Sequence, residues 1–300
     1  MITHVDVFGK KVEVLITGQG KQTVVIQTGM FCSFYNWIEV AKQLSPYYKV
    51  VLFHRPGYGT SELSEGERTT EQTAYELREL LHILNIQEPI ILIGHSYGGL
   101  CVQHFTMLYP EHISTLVLVD STSMNLHRLD ELDLPTLDAT DSDEKWIEKC
   151  LYYADLNTAQ LHQEVLPKLT TAQTTFPIEI QKRLLDFPIS PALYKAISSE
   201  IIHWKNCAQK MKSMQPFPNI PLIIMGRDAH NSIQQAIQDG IPYEEAVALE
   251  TVWQELIHEQ TTLSKQSQLI VATKSGHSIG VDRPDIIIEA VKLITHTQNV

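Results

Sequence analysis

Ser96 lies within the segment GHSYG, which fits the pattern G-x-S-x-G. The residues before it, 90–93, form an apolar run typical of a strand buried on both faces, and a helical pattern follows. In such a strand-to-helix turn the serine hydroxyl stands above the sheet, and the glycines allow a turn too tight for a Cβ. Free N–H groups at the helix start favour a developing negative charge. We therefore predict that Ser96 is an acyl-transfer nucleophile; the alternative is a serine that only caps the helix.

His277 is the best candidate for the base that a serine nucleophile requires. It directly follows the last predicted strand, in a Ser-Gly-His loop, and comes after the serine in the chain, as the order serine, acid, histidine demands. Among the other histidines, His82, His104 and His258 lie in helical patterns. His95 lies inside the tight turn, where we expect its ring to point away from the hydroxyl. We therefore predict His277 as the base.

Two aspartates are candidates for the acid that orients the histidine. Asp228 lies just past the strand predicted at 220–225 and before the final strand, the usual place for the acid in this chain order. Asp120 ends the strand that follows the nucleophile, and its loop opens at the same edge of the sheet. The structural alternative for Asp228 is a surface pair with Arg227, and that for Asp120 is a capping or turn carboxylate for residues 121–123. The sequence leaves the choice open.

The oxyanion formed by serine attack needs preorganised donors. One is expected from the backbone N–H of Tyr97, directly after the nucleophile, and the second from Met30, in the loop after an early strand. Aromatic residues follow Met30, and we predict that Phe31, Phe34 and Tyr35 line an apolar substrate pocket.

The composition is that of an ordinary globular chain, with 43% hydrophobic and 19% charged residues among 300. The formal net charge of −12 argues against nucleic acid and anionic membranes as partners. No apolar run approaches the length of a membrane span, and the start of the chain has no signal segment. We therefore expect a small-molecule substrate and no membrane partner.

Redox and metal chemistry have little support in the sequence. The four cysteines, Cys32, Cys101, Cys150 and Cys207, are scattered without a C-x-x-C pair, which favours reduced thiols and a cytoplasmic location. The segments Gly18 to Gly20 and Gly57 to Gly59 lack the further glycine and the Lys-Ser/Thr ending of a phosphate-binding loop. No spacing of histidines indicates a metal site. We expect no metal and no cofactor, and the sequence makes no prediction of oligomeric state.

Strand and helix patterns alternate along most of the chain, which predicts a mostly parallel sheet with helices on both faces. From 121 to 218 the patterns are helical only, interrupted by prolines. We therefore predict a core of residues 1–120 and 219–300 and a helical lid at 121–218, inserted after the sixth strand. The predicted strands are 4–8, 12–17, 23–27, 49–53, 90–93, 112–120, 220–225 and 268–272.

Five segments match motifs of a known family: Thr28 to Met30, His54 to Ser61, Gly94 to Gly99, Leu116 to Asp120 and Ser275 to Pro284. On these segments the chain resembles the α/β-hydrolase superfamily, in particular its compact, lidded, esterase-like members. The resemblance implies an α/β-hydrolase fold with a nucleophile elbow, a catalytic triad and an oxyanion hole. The resemblance covers the predicted core on both sides of the helical lid, whereas the lid itself contains none of the matching motifs.

The chain departs from the family pattern at three places. Thr28 stands where a histidine is usual beside the oxyanion loop, and His54 stands where an aspartate is usual. The segment from Gly226 to Asp228 is one residue shorter than the family's Gly-x-x-Asp. Because some relatives take the acid from the end of the earlier strand, Asp120 stays a candidate beside Asp228.

The expected function is that of a serine hydrolase acting on a small carboxylic ester, with a preference for short acyl chains. A serine at the elbow argues against haloalkane dehalogenase and epoxide hydrolase chemistry, which use an aspartate nucleophile. Two alternatives remain at this point. One is another reaction of the same triad, such as carbon–carbon bond, thioester or lactone hydrolysis or cyanohydrin lysis; the other is a non-catalytic receptor for a small ligand.

Overall fold

The computed structural model describes residues 2–214 and 216–298. Within these ranges the strands form one eight-stranded sheet in the order β1-β2-β4-β3-β5-β6-β7-β8, which is parallel from β4 onward, while β2 runs antiparallel to both β1 and β4. The strands are β1 Ile2–Val7, β2 Lys10–Thr17, β3 Thr23–Gln27, β4 Lys49–Phe53, β5 Ile90–His95, β6 Ile113–Val119, β7 Leu222–Arg227 and β8 Ser267–Ala272.

The central strands are apolar because helices cover both of their faces. Every residue of β3 and β5 is buried. The helices are α1 Ile38–Leu44, α2 Thr70–Ile83, α3 Tyr97–Leu108, α4 Pro135–Asp141, α5 Asp143–Asp155, α6 Thr158–Val165, α7 Ile178–Asp186, α8 Pro191–Ser213, α9 Ala229–Gln238, α10 Tyr243–Glu259, α11 Ile279–Asp282 and α12 Pro284–Gln298.

Alternate side chains of the central strands enter two separate cores. Val25 and Leu92 pack in a cluster with residues of α2 and α3. Ile26 and Ile91 pack on the other face, in a cluster with residues of α1 and α12. This arrangement confirms the predicted mostly parallel sheet with helices on both faces.

The chain between β6 and β7 contains α4 to α8, and we refer to residues 120–221 as the insertion. Because β6 and β7 are parallel neighbours, the insertion leaves the sheet and returns to it at adjacent strands. Helix α8 packs along α5, but Ala208 and Met211 near its end belong to the core cluster of α2 and α3. The last turns of α8 are therefore part of the core.

A buried charge network surrounds His54, the residue that replaces the usual aspartate. His54 Nδ1 lies 2.7 Å from Glu13 Oε2, and the backbone N–H of Phe34 donates to its Nε2 over 3.0 Å. The other oxygen of Glu13 accepts from the Tyr35 hydroxyl at 2.5 Å and from Arg183 of α7 at 2.7 Å. Thus Glu13 supplies from β2 a carboxylate beside the position where the family motif carries one.

The pH dependence of stability tests this network. Burial raises the pKa of Glu13, but hydrogen bonds from His54 and Tyr35 outweigh it and lower that pKa to about 2. Because the folded-state pKa lies below the ordinary value of 4.5, the contribution of Glu13 is complete above about pH 4.5 and is lost as the pH falls towards 2. We expect Glu13→Gln to lower the free energy of unfolding by about 3 kcal/mol at neutral pH. The deficit should shrink on acidification.

Urea unfolding at neutral pH and across the acidic window measures both effects. Glu65→Gln is the control, because the Glu65 side chain is 97% exposed and its loss should leave the free energy of unfolding nearly unchanged. A deficit of the Glu13 variant that grows on acidification would contradict the assignment.

Candidate active site

Ser96 forms the turn between β5 and α3. Its φ of 54° and ψ of −128° lie outside the regions that L-residues favour, which costs about 1–3 kcal/mol. Three backbone hydrogen bonds hold this conformation: the N–H of Ser96 donates to Val119 at 3.2 Å, and its carbonyl accepts from Gly99 at 2.8 Å and Thr122 at 3.1 Å. The serine is therefore fixed by β6 and the segment after it.

The loop after β3 passes directly over this turn. A Cβ on Gly29 would lie 2.8 Å from Ser96 Cβ and 3.2 Å from Ser96 Oγ. A Cβ on Gly98 would lie 2.4 Å from the carbonyl oxygen of Thr28. Only glycine permits so close an approach from both sides. The loop that carries the Met30 amide thus lies beside the serine hydroxyl, and the Tyr97 amide is the first of α3, without an acceptor inside the helix.

Asp120 and His277 meet above the end of the sheet. Asp120 Oδ2 lies 2.6 Å from His277 Nδ1; the carboxylate is fully buried, whereas the imidazole is 40% exposed. A carboxylate accepts only, so Nδ1 of His277 is the donor in this contact and Nε2 is not engaged by Asp120. The second oxygen of Asp120 accepts from Trp253 Nε1 at 3.0 Å and from the backbone N–H of Arg227 at 3.2 Å.

The charge of Asp120 is stabilised although it is buried. Burial raises the pKa of this carboxyl, but the hydrogen bond from His277 and the positive charge of Arg227 outweigh burial and hold the pKa below its usual value. The guanidinium of Arg227 lies 3.5 Å from Asp120 and 2.6 Å from Glu250. Asp120 is therefore an anion at neutral pH and a persistent hydrogen-bond acceptor for the imidazole.

Asp228, the other candidate acid, has different partners. Its Oδ1 accepts from the backbone N–H groups of His230 at 3.0 Å and Asn231 at 3.3 Å, and its Oδ2 accepts from that of Lys274 at 2.8 Å. It is the N-cap of α9, a helix that the sequence analysis did not predict. The structure therefore brings Asp120 rather than Asp228 against His277, because Asp228 begins a helix.

The three predicted pocket residues lie in two environments. Phe31 is 39% exposed, and its ring centroid lies 5.0 Å from that of Trp146 in α5 and 6.4 Å from that of Tyr194 in α8. Phe34 and Tyr35 are buried in the core, because the short 3-10 helix Phe34–Trp37 turns both rings inward. Tyr35 nevertheless lies beside a cavity that Glu13, Arg183 and Phe187 also line, so its place in a substrate pocket, like that of Phe34, stays a prediction.

The ring of His95, which we expect from the sequence to point away from the Ser96 hydroxyl, lies against the loop that carries His277. Its Nε2 lies 2.9 Å from the backbone carbonyl of His277, and the two imidazole centroids are 4.8 Å apart. Burial, with a smaller effect from His277, lowers the pKa of His95 to about 4, so it is neutral at pH 7 and donates Nε2–H to that carbonyl. The tight turn thus aims the ring at the histidine loop, a direction that its sequence position alone does not give.

Membrane-spanning helices and metal-binding clusters are both absent from residues 2–214 and 216–298. No helix in these ranges combines the length and apolar character that crossing a membrane requires. No group of three or more His, Cys, Asp or Glu side chains there is arranged to hold a metal ion.

Residues 22–202, more than half of the chain, match the sequence model of a family described as the alpha/beta hydrolase fold. An AB hydrolase superfamily protein of Gibberella zeae is 24% identical over 294 residues, covering 91% of this chain and 86% of that protein. The protein YbdG of Bacillus subtilis is 31% identical over 120 residues, which span 39% of this chain and only 37% of YbdG.

Solved structures give the same picture for the fold. A thermophilic esterase from Thermogutta terrifontis superposes with a TM-score of 0.65 at 18% identity, covering 99% of this chain and 98% of the esterase. At this identity the likeness is one of fold.

Proposed function

The chain belongs to the α/β-hydrolase family, and from that premise we propose that it is a serine hydrolase cleaving small carboxylic esters through an acyl-enzyme on Ser96. The observation that carries the proposal is the 2.6 Å contact between Asp120 and His277, at the edge of the sheet where Ser96 turns into α3. A buried anion there holds the imidazole with Nε2 free to accept a proton. The proposed reaction uses only side chains, backbone amides and water.

In the proposed first step, Ser96 Oγ attacks the ester carbonyl carbon while His277 Nε2 accepts the hydroxyl proton. The imidazolium that forms is stabilised by the Asp120 carboxylate, which stays ionised. His277 then gives the proton to the leaving alcohol oxygen, and the carbon–oxygen bond breaks. The products of this step are an alcohol and an acyl ester of Ser96.

The carbonyl oxygen becomes an oxyanion during attack, and we propose that the backbone N–H groups of Met30 and Tyr97 donate to it. The close approach of Gly29 to Ser96 supports the first donor, and the position of Tyr97 at the start of α3 supports the second. The helix dipole adds a favourable potential at the same point.

In the second step, a water molecule attacks the acyl carbon. His277 Nε2 takes a proton from this water and returns it to Ser96 Oγ as the acyl–oxygen bond breaks. A carboxylic acid leaves, and the enzyme regains its starting protonation. The 40% exposure of the His277 side chain is consistent with water reaching Nε2 at this stage.

The assignment of the acid is tested by a pair of matched substitutions. We expect Asp120→Asn to lower kcat by about 10⁴-fold, because the amide no longer holds the imidazole in the required tautomer. Asp228→Asn should leave kcat within about threefold, since the asparagine oxygen still caps α9 and only the exposed Lys274 N–H loses its acceptor. Steady-state hydrolysis of p-nitrophenyl acetate measures both.

We expect a fluorophosphonate probe to label the wild-type protein stoichiometrically and not to label Ser96→Ala. This result would tie the activity to the serine. Circular dichroism shows whether each variant is folded. A folded Asp228→Asn enzyme that loses activity as strongly as Asp120→Asn would refute the assignment. Wild-type protein that is neither labelled nor active would refute the hydrolase proposal itself.

The preference for short acyl chains rests on an aromatic wall beside Met30. Phe31, which follows Met30, has its ring centroid 5.0 Å from that of Trp146 in α5, and we propose that this pair of rings limits the space for the acyl chain. We expect Trp146→Ala to raise the kcat/KM ratio of octanoate to acetate p-nitrophenyl esters by about tenfold. Leu151→Ala, on the same helix and 52% exposed, should leave that ratio unchanged. Faster wild-type turnover of octanoate than of acetate would contradict the proposed wall.

A further inference from the structure

We propose that Arg55 is a positioning residue for the oxyanion loop, Thr28 to Met30, and that Glu200 of the insertion holds Arg55 in place. The inference rests on the proposed function, in which the Met30 amide is an oxyanion donor. It concerns two residues that make no contact with the reacting groups in that mechanism.

Arg55 bonds to two consecutive carbonyl groups of the oxyanion loop. Its Nη1 donates to the carbonyl oxygen of Thr28 at 2.5 Å, and its Nη2 donates to that of Gly29 at 3.2 Å. The arginine is only 2% exposed. A guanidinium presents its donors in a rigid plane, so two contacts from one side chain fix the direction of both carbonyls.

The geometry of the peptide bond transmits this constraint to the oxyanion donor. The carbonyl of Gly29 and the N–H of Met30 belong to one planar trans peptide, in which they point in opposite directions. A carbonyl held towards Arg55 therefore directs the Met30 N–H away from Arg55. Gly98 limits the loop from below, since a Cβ there would meet the Thr28 oxygen at 2.4 Å.

Glu200 holds the guanidinium along the edge that Nε and Nη2 form. Its Oε1 accepts from Arg55 Nε at 2.8 Å, and its Oε2 accepts from Arg55 Nη2 at 3.2 Å and from the Tyr58 hydroxyl at 2.5 Å. Glu200 is fully buried, and the guanidinium carbon lies 4.3 Å from the centroid of the Tyr58 ring. Because Glu200 belongs to α8, the insertion and the oxyanion loop share one buried ion pair.

A second buried arginine provides a matched control. Arg68 donates to both oxygens of Glu76 at 2.6 Å, is 2% exposed, and also touches α8 through its backbone N–H, which donates to Ser199 Oγ at 2.9 Å. Within residues 2–214 and 216–298, the hydrogen bonds that Arg68 donates go to Glu76 and Ser199 rather than to the oxyanion loop. Arg68→Lys therefore damages a similar ion pair without releasing a loop carbonyl.

Kinetics of Arg55→Lys and Arg68→Lys test the inference. We expect Arg55→Lys to lower kcat for p-nitrophenyl acetate by about 10- to 100-fold, with KM within about threefold, because lysine keeps the charge but not the fork that aligns the donor. Arg68→Lys should lower the Tm by a similar amount and leave kcat within about threefold. Equal losses of kcat in the two variants would overturn the inference while leaving the hydrolase proposal intact.

Hydrogen exchange of the segment 28–33, followed by mass spectrometry, gives a readout that does not depend on activity. We expect exchange of this segment to be faster in Arg55→Lys than in wild type and unchanged in Arg68→Lys. Glu200→Gln replaces Arg55→Lys if the latter does not fold, with the same expectation. Unchanged exchange in the folded Arg55 or Glu200 variant would overturn the positioning role, whether or not the wild-type protein proves to be a hydrolase.

Discussion

The hydrogen bond between Asp120 and His277 depends on the register of the whole sheet. Asp120 follows β6 and His277 follows β8, so the bond spans the end of β7, which lies between them. The backbone N–H of Asp120 donates to Met225 of β7 at 2.7 Å, and Asp120 itself adopts a positive φ of 41°. A shift of one residue of β7 against its neighbours would move the ends of β6 and β8 relative to each other and break the bond from Asp120 to Met225. The packing of three strands therefore has to be correct before this contact can exist.

Buried carboxylates recur around the same edge of the sheet, and each has a cationic partner. Glu13 is paired with Arg183 and Glu200 with Arg55; Asp120 lies beside Arg227. Such pairs contribute little net stability, because desolvation offsets their attraction, but an unpaired member is strongly destabilising. Their effect is to allow one arrangement of loops and helices and to penalise others. That specificity suits an edge where backbone donors must keep a fixed direction.

The sequence was sufficient for features that depend on local pattern. The runs at β3 and β4 gave these strands with their observed bounds, because a doubly covered strand is continuously apolar. The sequence was insufficient at α9, a short polar helix that begins directly after Asp228. Asp228 satisfies the spacing expected of the acid, but the segment after it forms α9, whose residues are all at least partly exposed and which lacks an apolar run that would announce it. The inward direction of Phe34 and Tyr35 is likewise set by a single 3-10 turn, which no pattern in the sequence indicates.

Attachment to the core differs along the insertion. Helix α8 is held by the ion pair of Glu200 with Arg55 and by Ala208 and Met211, which lie in the core cluster. Helix α5 instead approaches the oxyanion loop through the contact of Trp146 with Phe31, a pair of rings without a directional polar bond. A buried ion pair resists separation because each partner would be left uncompensated, whereas two rings can slide at small cost. The part of the insertion that orients the loop is therefore the part most firmly fixed, and the part that walls the proposed acyl site is held more weakly.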